Sequence, residues 1–272
     1  MNLAAALFPR PSLLRPLGLL ALVALASCDD HPAVTVDASP KAATSAAQAA
    51  PTSSAPATPP ASAAAPKPPR GPCTHEPLVT FDDPGMEQVV RRQLQQPTGP
   101  ITRASLRTIK TFNVSKSTLD DVDPCLFADL IGVKDLYLPP GLIRDLSPLK
   151  PLVHLEGLGV SKTAVKDLSP ISGMAHLDRL DISHTPISDL AALSQLTLLT
   201  ELNLDDTTVS DLAPLAKMSK LEMVSLQNTT VQSLAPLHGM THLKKLYIAG
   251  SLVTDISPVQ GIPGLKIFQQ AK

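Results

Sequence analysis

From Leu136 onward, apolar residues return with a period of 22 residues. Leu136, Leu158, Leu180, Leu202, Val224, Leu246 and Phe268 share one register, and Leu138, Val160, Ile182, Leu204, Leu226 and Ile248 follow two residues later. Each apolar-x-apolar step is the side-chain period of a strand with one buried face. Two further columns complete the unit, one running from Ile143 through Val165 to Val253 and the other from Leu146 through Leu168 to Ile256. A fixed period of this length predicts a repeat solenoid, in which each unit buries its apolar side by stacking on its neighbours. Function is then expected on the surface of a stack rather than in a pocket.

Twenty-two residues leave no room for a long helix after the strand and its turn, so the return path must be extended or a short 3-10 piece. Ser147-Pro148, Ser169-Pro170, Ala213-Pro214, Ala235-Pro236 and Ser257-Pro258 recur in register and mark its start. Proline is tolerated in a first helical turn, and a preceding serine can cap it. Just before them stand Asp145, Asp167, Asp189, Asp211 and Asp255, with Ser233 the exception. Stacked carboxylates repel one another, so each is expected to accept backbone N–H bonds within its own turn.

The unit from Leu202 through Asn203-Leu204-Asp205-Asp206-Thr207-Thr208-Val209-Ser210-Asp211-Leu212-Ala213-Pro214 to Leu215 resembles the bacterial leucine-rich repeat of the internalin type. The resemblance covers roughly residues 78 to 270. It implies a leucine-rich-repeat horseshoe with a parallel β-sheet on the concave face, short 3-10 or extended convex segments, and a helical N-terminal cap. Where the family carries asparagine this chain has Thr163, Thr185, Thr207, Thr229 and Ser251, whose hydroxyls are expected to bond to the next turn's backbone. One more unit precedes these, with Phe112, Val114, Leu119, Val122, Pro124 and Cys125 at matching offsets and a two-residue insertion before Leu130 and Val133. Upstream, Met86, Val89, Val90 and Leu94 lie on one side of a short helix that resembles the family's cap. The cap is assigned to residues 73–110 and the repeats to 111–272.

The N-terminal part differs in composition. Arg10 and Arg15 precede an apolar run from Leu17 to Ala26, too short to span a bilayer and suited to a signal peptide over residues 1–27. It ends in Leu25-Ala26-Ser27-Cys28, which resembles the bacterial lipobox and implies cleavage before Cys28 and lipidation of its sulfur and amino terminus. An ordinary secretory signal containing a cysteine is the alternative. Residues 28–72 then read as the lipidated cysteine and an Ala/Pro/Ser-rich tether, with too little apolar bulk to offset ordering entropy. A bacterial cell-envelope location, facing the periplasm or the exterior, follows from this reading. With Cys28 consumed by lipid, Cys73 and Cys125 are left as an even pair in an oxidising compartment, which favours a disulfide. The other reading places Cys125 as an inert cysteine in the buried column of Leu149, Ile171, Leu193 and Leu215, with Cys73 free.

A net charge of -1 without any Lys/Arg block gives no electrostatic case for nucleic acid. There is no phosphate-binding glycine loop, nucleophile elbow, Cys-x-x-Cys or His-Glu-x-x-His. His154 and His176 stand one repeat apart with His242 in phase, but Leu198 and Lys220 interrupt them, so no metal site, cofactor or catalysis is expected. The concave strand face remains. Two outward columns are expected there, one through Asp135, Arg179, Glu201 and Lys245, the other through Tyr137, Asp181, Asn203 and Tyr247, with Asp205 beside them. The two tyrosines, five repeats apart, would be separated by roughly 24 Å, a span suited to a folded protein, an extended peptide or a glycan. The expected function is a membrane-anchored, exported binding module. The alternatives are a structural or adhesion envelope lipoprotein using another surface and, more remotely, a hydrolytic or metal-dependent enzyme.

Overall fold

The computed structural model describes Cys73 and residues 76–81, 83–117 and 119–270. All lie in the second of the two units into which the chain divides, Lys67–Lys272. The signal segment, Cys28 and the tether expected over residues 1–72 lie outside the described residues, Cys73 being the first.

Helix α1, Pro84–Leu94, opens with proline at its first position and with the Asp83 carboxylate accepting from Gly85 N–H, and its Arg91 and Arg92 fall in the last turn. Met86 and Val90 are buried, with Val89 and Leu94 packed beside them, as the apolar spacing requires. Helix α2, Arg103–Leu106, starts in a capping box between Thr102 and Ser105. Strand β1, Thr111–Asn113, follows, then helix α3, Pro124–Asp129. The buried Asp129 carboxylate is paired by Arg103 and lies 3.6 Å from Arg107, tying α2 to α3.

The remaining strands are β2 Asp135–Tyr137, β3 Gly157–Gly159, β4 Arg179–Asp181, β5 Glu201–Asn203, β6 Met223–Ser225, β7 Lys245–Tyr247 and β8 Lys266–Phe268. They form one open parallel sheet in sequence order, with β1 and β8 at its edges. Short 3-10 pieces such as Ser147–Leu149 and Ala213–Lys217 make the return paths, with helix α4, Ser257–Gln260, in the last. This is the repeat solenoid that the periodicity predicts. Leu136, Leu158, Leu180, Leu202, Val224 and Leu246 point inward and are at most 2% exposed. Truncating one to alanine is expected to cost about 2–5 kcal/mol, because stacked neighbours cannot collapse into the gap. At the first edge, the Gln93 side-chain amide donates to the Thr111 carbonyl and accepts from Asn113 N–H at 3.1 Å, so α1 closes the open side of β1.

The Asp column behaves as expected. Asp145, Asp167, Asp189, Asp211 and Asp255 accept from the N–H two residues on at 2.7–2.8 Å, and the Ser233 hydroxyl does the same at 3.2 Å. It is therefore these side chains, not the serines before proline, that secure the starts of the short return helices. Ser147, Ser169 and Ser257 are already the first residues of those segments, and the residues at the cap positions make no side-chain cap bond.

The structure corrects three further details. The hydroxyls of Thr163, Thr185, Thr207, Thr229 and Ser251 donate to the carbonyl three residues earlier in their own repeat, at 2.6–2.7 Å, rather than to the next turn. A threonine side chain is too short to reach past its own strand end. Cys125 is outside the buried column, because the two-residue insertion winds its segment into an α-helix whose inward side chains are Leu126 and Phe127. It is half-buried and disulfide-bonded to Cys73, with Cα atoms 5.3 Å apart. Phe268 does not continue the inward register: Ile267 pairs with Leu246, and Phe268 with Tyr247. Two residues separate Leu243 from Leu246, but only Lys266 separates Leu265 from Ile267, so the last strand steps forward by one and its faces exchange.

At the turns leaving β3 to β7 the backbone is left-handed. Lys162, His184, Asp206 and Asn228 have φ of 54–59°, and Gly250 takes the next place at 71°. A side chain at Gly250 would run into Asn228, its Cβ falling 2.2 Å from Oδ1.

Candidate partner-binding face

Parallel pairing places Thr111, Asp135, Gly157, Arg179, Glu201, Met223, Lys245 and Lys266 in one row on the solvent side of the sheet. Asn113, Tyr137, Gly159, Asp181, Asn203, Ser225, Tyr247 and Phe268 form the second row. The residues singled out in the sequence are thus brought onto one face, but their surroundings differ along it.

In the first half of the sheet the face is occupied by its own side chains. Arg179 Nη2 lies 2.7 Å from Asp135 Oδ1, spanning the intervening strand over Gly157. A Cβ at Gly157 would stand 2.5 Å from that carboxylate oxygen. Tyr137 lies across Gly159, where a Cβ would come within 2.8 Å of Cδ1. Both glycines are buried beneath these covers although they face outward. Arg179 Nε is buried without a hydrogen-bond partner.

In the middle, much of the acidic character is committed to local backbone. Asp181 accepts from Ser183 N–H at 3.0 Å and Asn203 from Asp205 N–H at 3.1 Å. Asp205 receives the Ser225 hydroxyl, the Gln227 N–H and the Gln227 amide at 2.6–3.0 Å, and so braces the next repeat. Glu201 differs: it is exposed, and no described residue bonds to its carboxylate.

The last strands carry an exposed Lys245 and, in register with it, an exposed Lys266. Tyr247 stacks on Phe268 with ring centroids 4.5 Å apart and planes at 12°. The 22-residue period alone places neither Lys266 nor Phe268 on this face, because it turns Phe268 inward. The missing residue between Leu265 and Ile267 was the signal that could have found them.

Beside the sheet, His154 and His176 stand with ring centroids 5.9 Å apart over a shallow recess of about 330 Å³ that Lys110, Ile131, Lys134 and Glu156 also line. The Glu156 carboxylate bonds the Lys134 ammonium at 2.5 Å, which holds Glu156 below and Lys134 above their ordinary pKa values. Among the described residues no group of three or more His, Cys, Asp or Glu side chains could hold a metal ion, and no helix is long and apolar enough to cross a membrane.

No family model and no curated protein matches the chain. Solved structures share its fold. An internalin from Listeria monocytogenes is similar over 69% of this chain at 26% identity, with a TM-score of 0.62, and the chain spans 56% of that protein's length. Internalin C2 from the same organism is similar over 70% of this chain and 94% of its own, at 24% identity and a TM-score of 0.63. A leucine-rich-repeat protein from Leptospira interrogans matches 60% of this chain and 43% of its own, at 18% identity and a TM-score of 0.52. The described part of the chain has an internalin-type leucine-rich-repeat fold.

Proposed function

We propose that the chain is an exported leucine-rich-repeat module, anchored to a bacterial membrane through lipid on Cys28, that recognises a protein or other extended partner on the concave face of its sheet and performs no catalysis. The observation carrying this reading is the pair of outward rows running over eight consecutive strands, which combine exposed tyrosine, unpaired charge and a rigid parallel backbone. Rows on strands about 4.8 Å apart extend over roughly 30 Å, far beyond a small metabolite. Rigid aromatic side chains are frequent interface anchors, and the charges around them select the partner. The half-exposed Tyr137 and the Tyr247–Phe268 stack supply such anchors at the two ends of the face.

Affinity capture from native envelope by the full chain, followed by binding measurements on the captured species, tests the proposal. Tyr137→Ala and Tyr247→Ala are each expected to cost about 1–2 kcal/mol of affinity, with little loss of stability, because neither ring lies in the buried stack. Unchanged binding in the double variant, with binding lost on altering the convex side, would assign the role of an envelope lipoprotein acting through another surface.

A further inference from the structure

Two charge pairs of the first row are spaced alike and end differently. Asp135 and Arg179 lie two strands apart with Gly157 between them, and they close on each other at 2.7 Å. Glu201 and Lys245 also lie two strands apart, but Met223 stands between them. Met223 holds the place that glycine takes between the first pair, and no described residue bonds to either charge. Arg179, although in register with Glu201, reaches the other way to Asp135. The first half of the face is therefore self-neutralised, while the second half keeps its charges for something else.

That second half ends in two lysines in register on adjacent strands. Lys245 and Lys266 occupy adjacent strands in register, roughly 5 Å apart at the backbone, and like charges directly opposite are destabilising. Neighbouring Lys244, by contrast, is paired with Glu222 at 2.7 Å. Immediately beside the free pair lies the Tyr247–Phe268 stack, an apolar plate that no described side chain covers completely.

We propose that this corner docks a protein segment in which carboxylates flank an apolar side chain, the carboxylates meeting Lys245 and Lys266 and the apolar group lying on Tyr247 and Phe268. Charge complementarity commits the choice: an acidic partner relieves the lysine repulsion, whereas a basic one adds to it. Glu201, about 10 Å away across Met223, repels the acidic part and so fixes where along the row it sits. The proposal deepens the reading of the concave face as the interface and rests on it.

The test uses the full chain and three labelled peptides of equal length, sharing a Leu-Phe centre flanked by glutamates, by lysines or by glutamines, followed by fluorescence anisotropy at low salt. The glutamate peptide is expected to bind at least about tenfold tighter than the lysine peptide, with the glutamine peptide between. A Lys245→Glu, Lys266→Glu variant should invert that order, and a Lys245→Gln, Lys266→Gln variant should abolish it, with circular dichroism unchanged in both. Equal binding of all three peptides, or a preference that survives both variants, overturns the proposal. If the preference survives there but is lost in a Tyr137→Ala, Arg179→Ala variant, this corner is wrong while the concave face stands. If neither set of variants moves it, the concave-face reading falls as well.

Discussion

Arg179 grips Asp135 across a strand that belongs to neither of them, and Gly157 makes this reach possible. A Cβ at Gly157 would meet the movable end of the Asp135 side chain rather than backbone. Gly157→Ala is therefore expected to displace the carboxylate without disturbing the sheet, at a stability cost of about 1 kcal/mol or less. The partly exposed pair should show a coupling of about 0.5–1 kcal/mol in a double-mutant cycle with Asp135→Ala and Arg179→Ala, and this should fall to near zero in the Gly157→Ala background. A coupling that persists there would mean the glycine is irrelevant to the bridge.

The Cys73–Cys125 disulfide closes a separation of 52 residues and pins the segment before α1 onto α3. In the chain-entropy account such a loop is worth up to about 4 kcal/mol, less any native strain. Non-reducing peptide mapping of exported protein should recover the two cysteines in linked fragments, and reduction should lower Tm. Two free thiols in correctly exported protein would contradict the pairing.

Acid should weaken the repeats through their turn carboxylates. Asp167 and Asp255 are held below the ordinary carboxylate range, chiefly by the Ser169 and Ser257 hydroxyls and then by the N–H groups of the same residues. A depressed folded pKa means that the unfolded chain binds the extra protons in acid. The stabilisation is thus complete above the unfolded value, near pH 4, and is lost as pH falls through the folded one. Calorimetry should find Tm declining below about pH 4, and Ser169→Ala, which removes the leading cause and keeps the N–H bond, should make that decline shallower. An unaltered acid slope in Ser169→Ala would show that the hydroxyl does not set the titration.

Membrane attachment is expected to depend on one sulfur. With Cys28→Ala, detergent partitioning should move the chain from the membrane to the soluble fraction, and mass spectrometry should find no acyl adduct. A signal-cleaved Cys28→Ala product that stays in the membrane fraction would refute the lipobox reading.

The regular rungs were legible because leucine, valine and isoleucine mark burial without ambiguity when they recur at a fixed interval. The turn carboxylates were equally legible, since a column of like charge demands local donors. What escaped was whatever depends on reach or on phase. A threonine and an asparagine look interchangeable in a column, but only the longer side chain can span to the next turn, and Thr207 bonds inside its own repeat. Cys125 falls outside its column because the segment with the insertion is an α-helix rather than a 3-10 piece, and its inward side chains are Leu126 and Phe127. Gly157 and Gly159 were visible as gaps in two columns. Their use, as the floor for an ion pair and a tyrosine ring, depends on side-chain directions that periodicity does not carry.

The left-handed turn positions hold a reserve of stability that the chain leaves unused. An L-residue in that region sacrifices on the order of 1 kcal/mol relative to glycine, less for asparagine and aspartate, which tolerate it. Lys162 has no such tolerance, yet it sits where glycine would relax, as Gly250 does in the equivalent place. Thermal hardening of this scaffold is therefore best begun at the rim of the sheet, far from the packed leucines, at a site where less side chain gives a firmer protein.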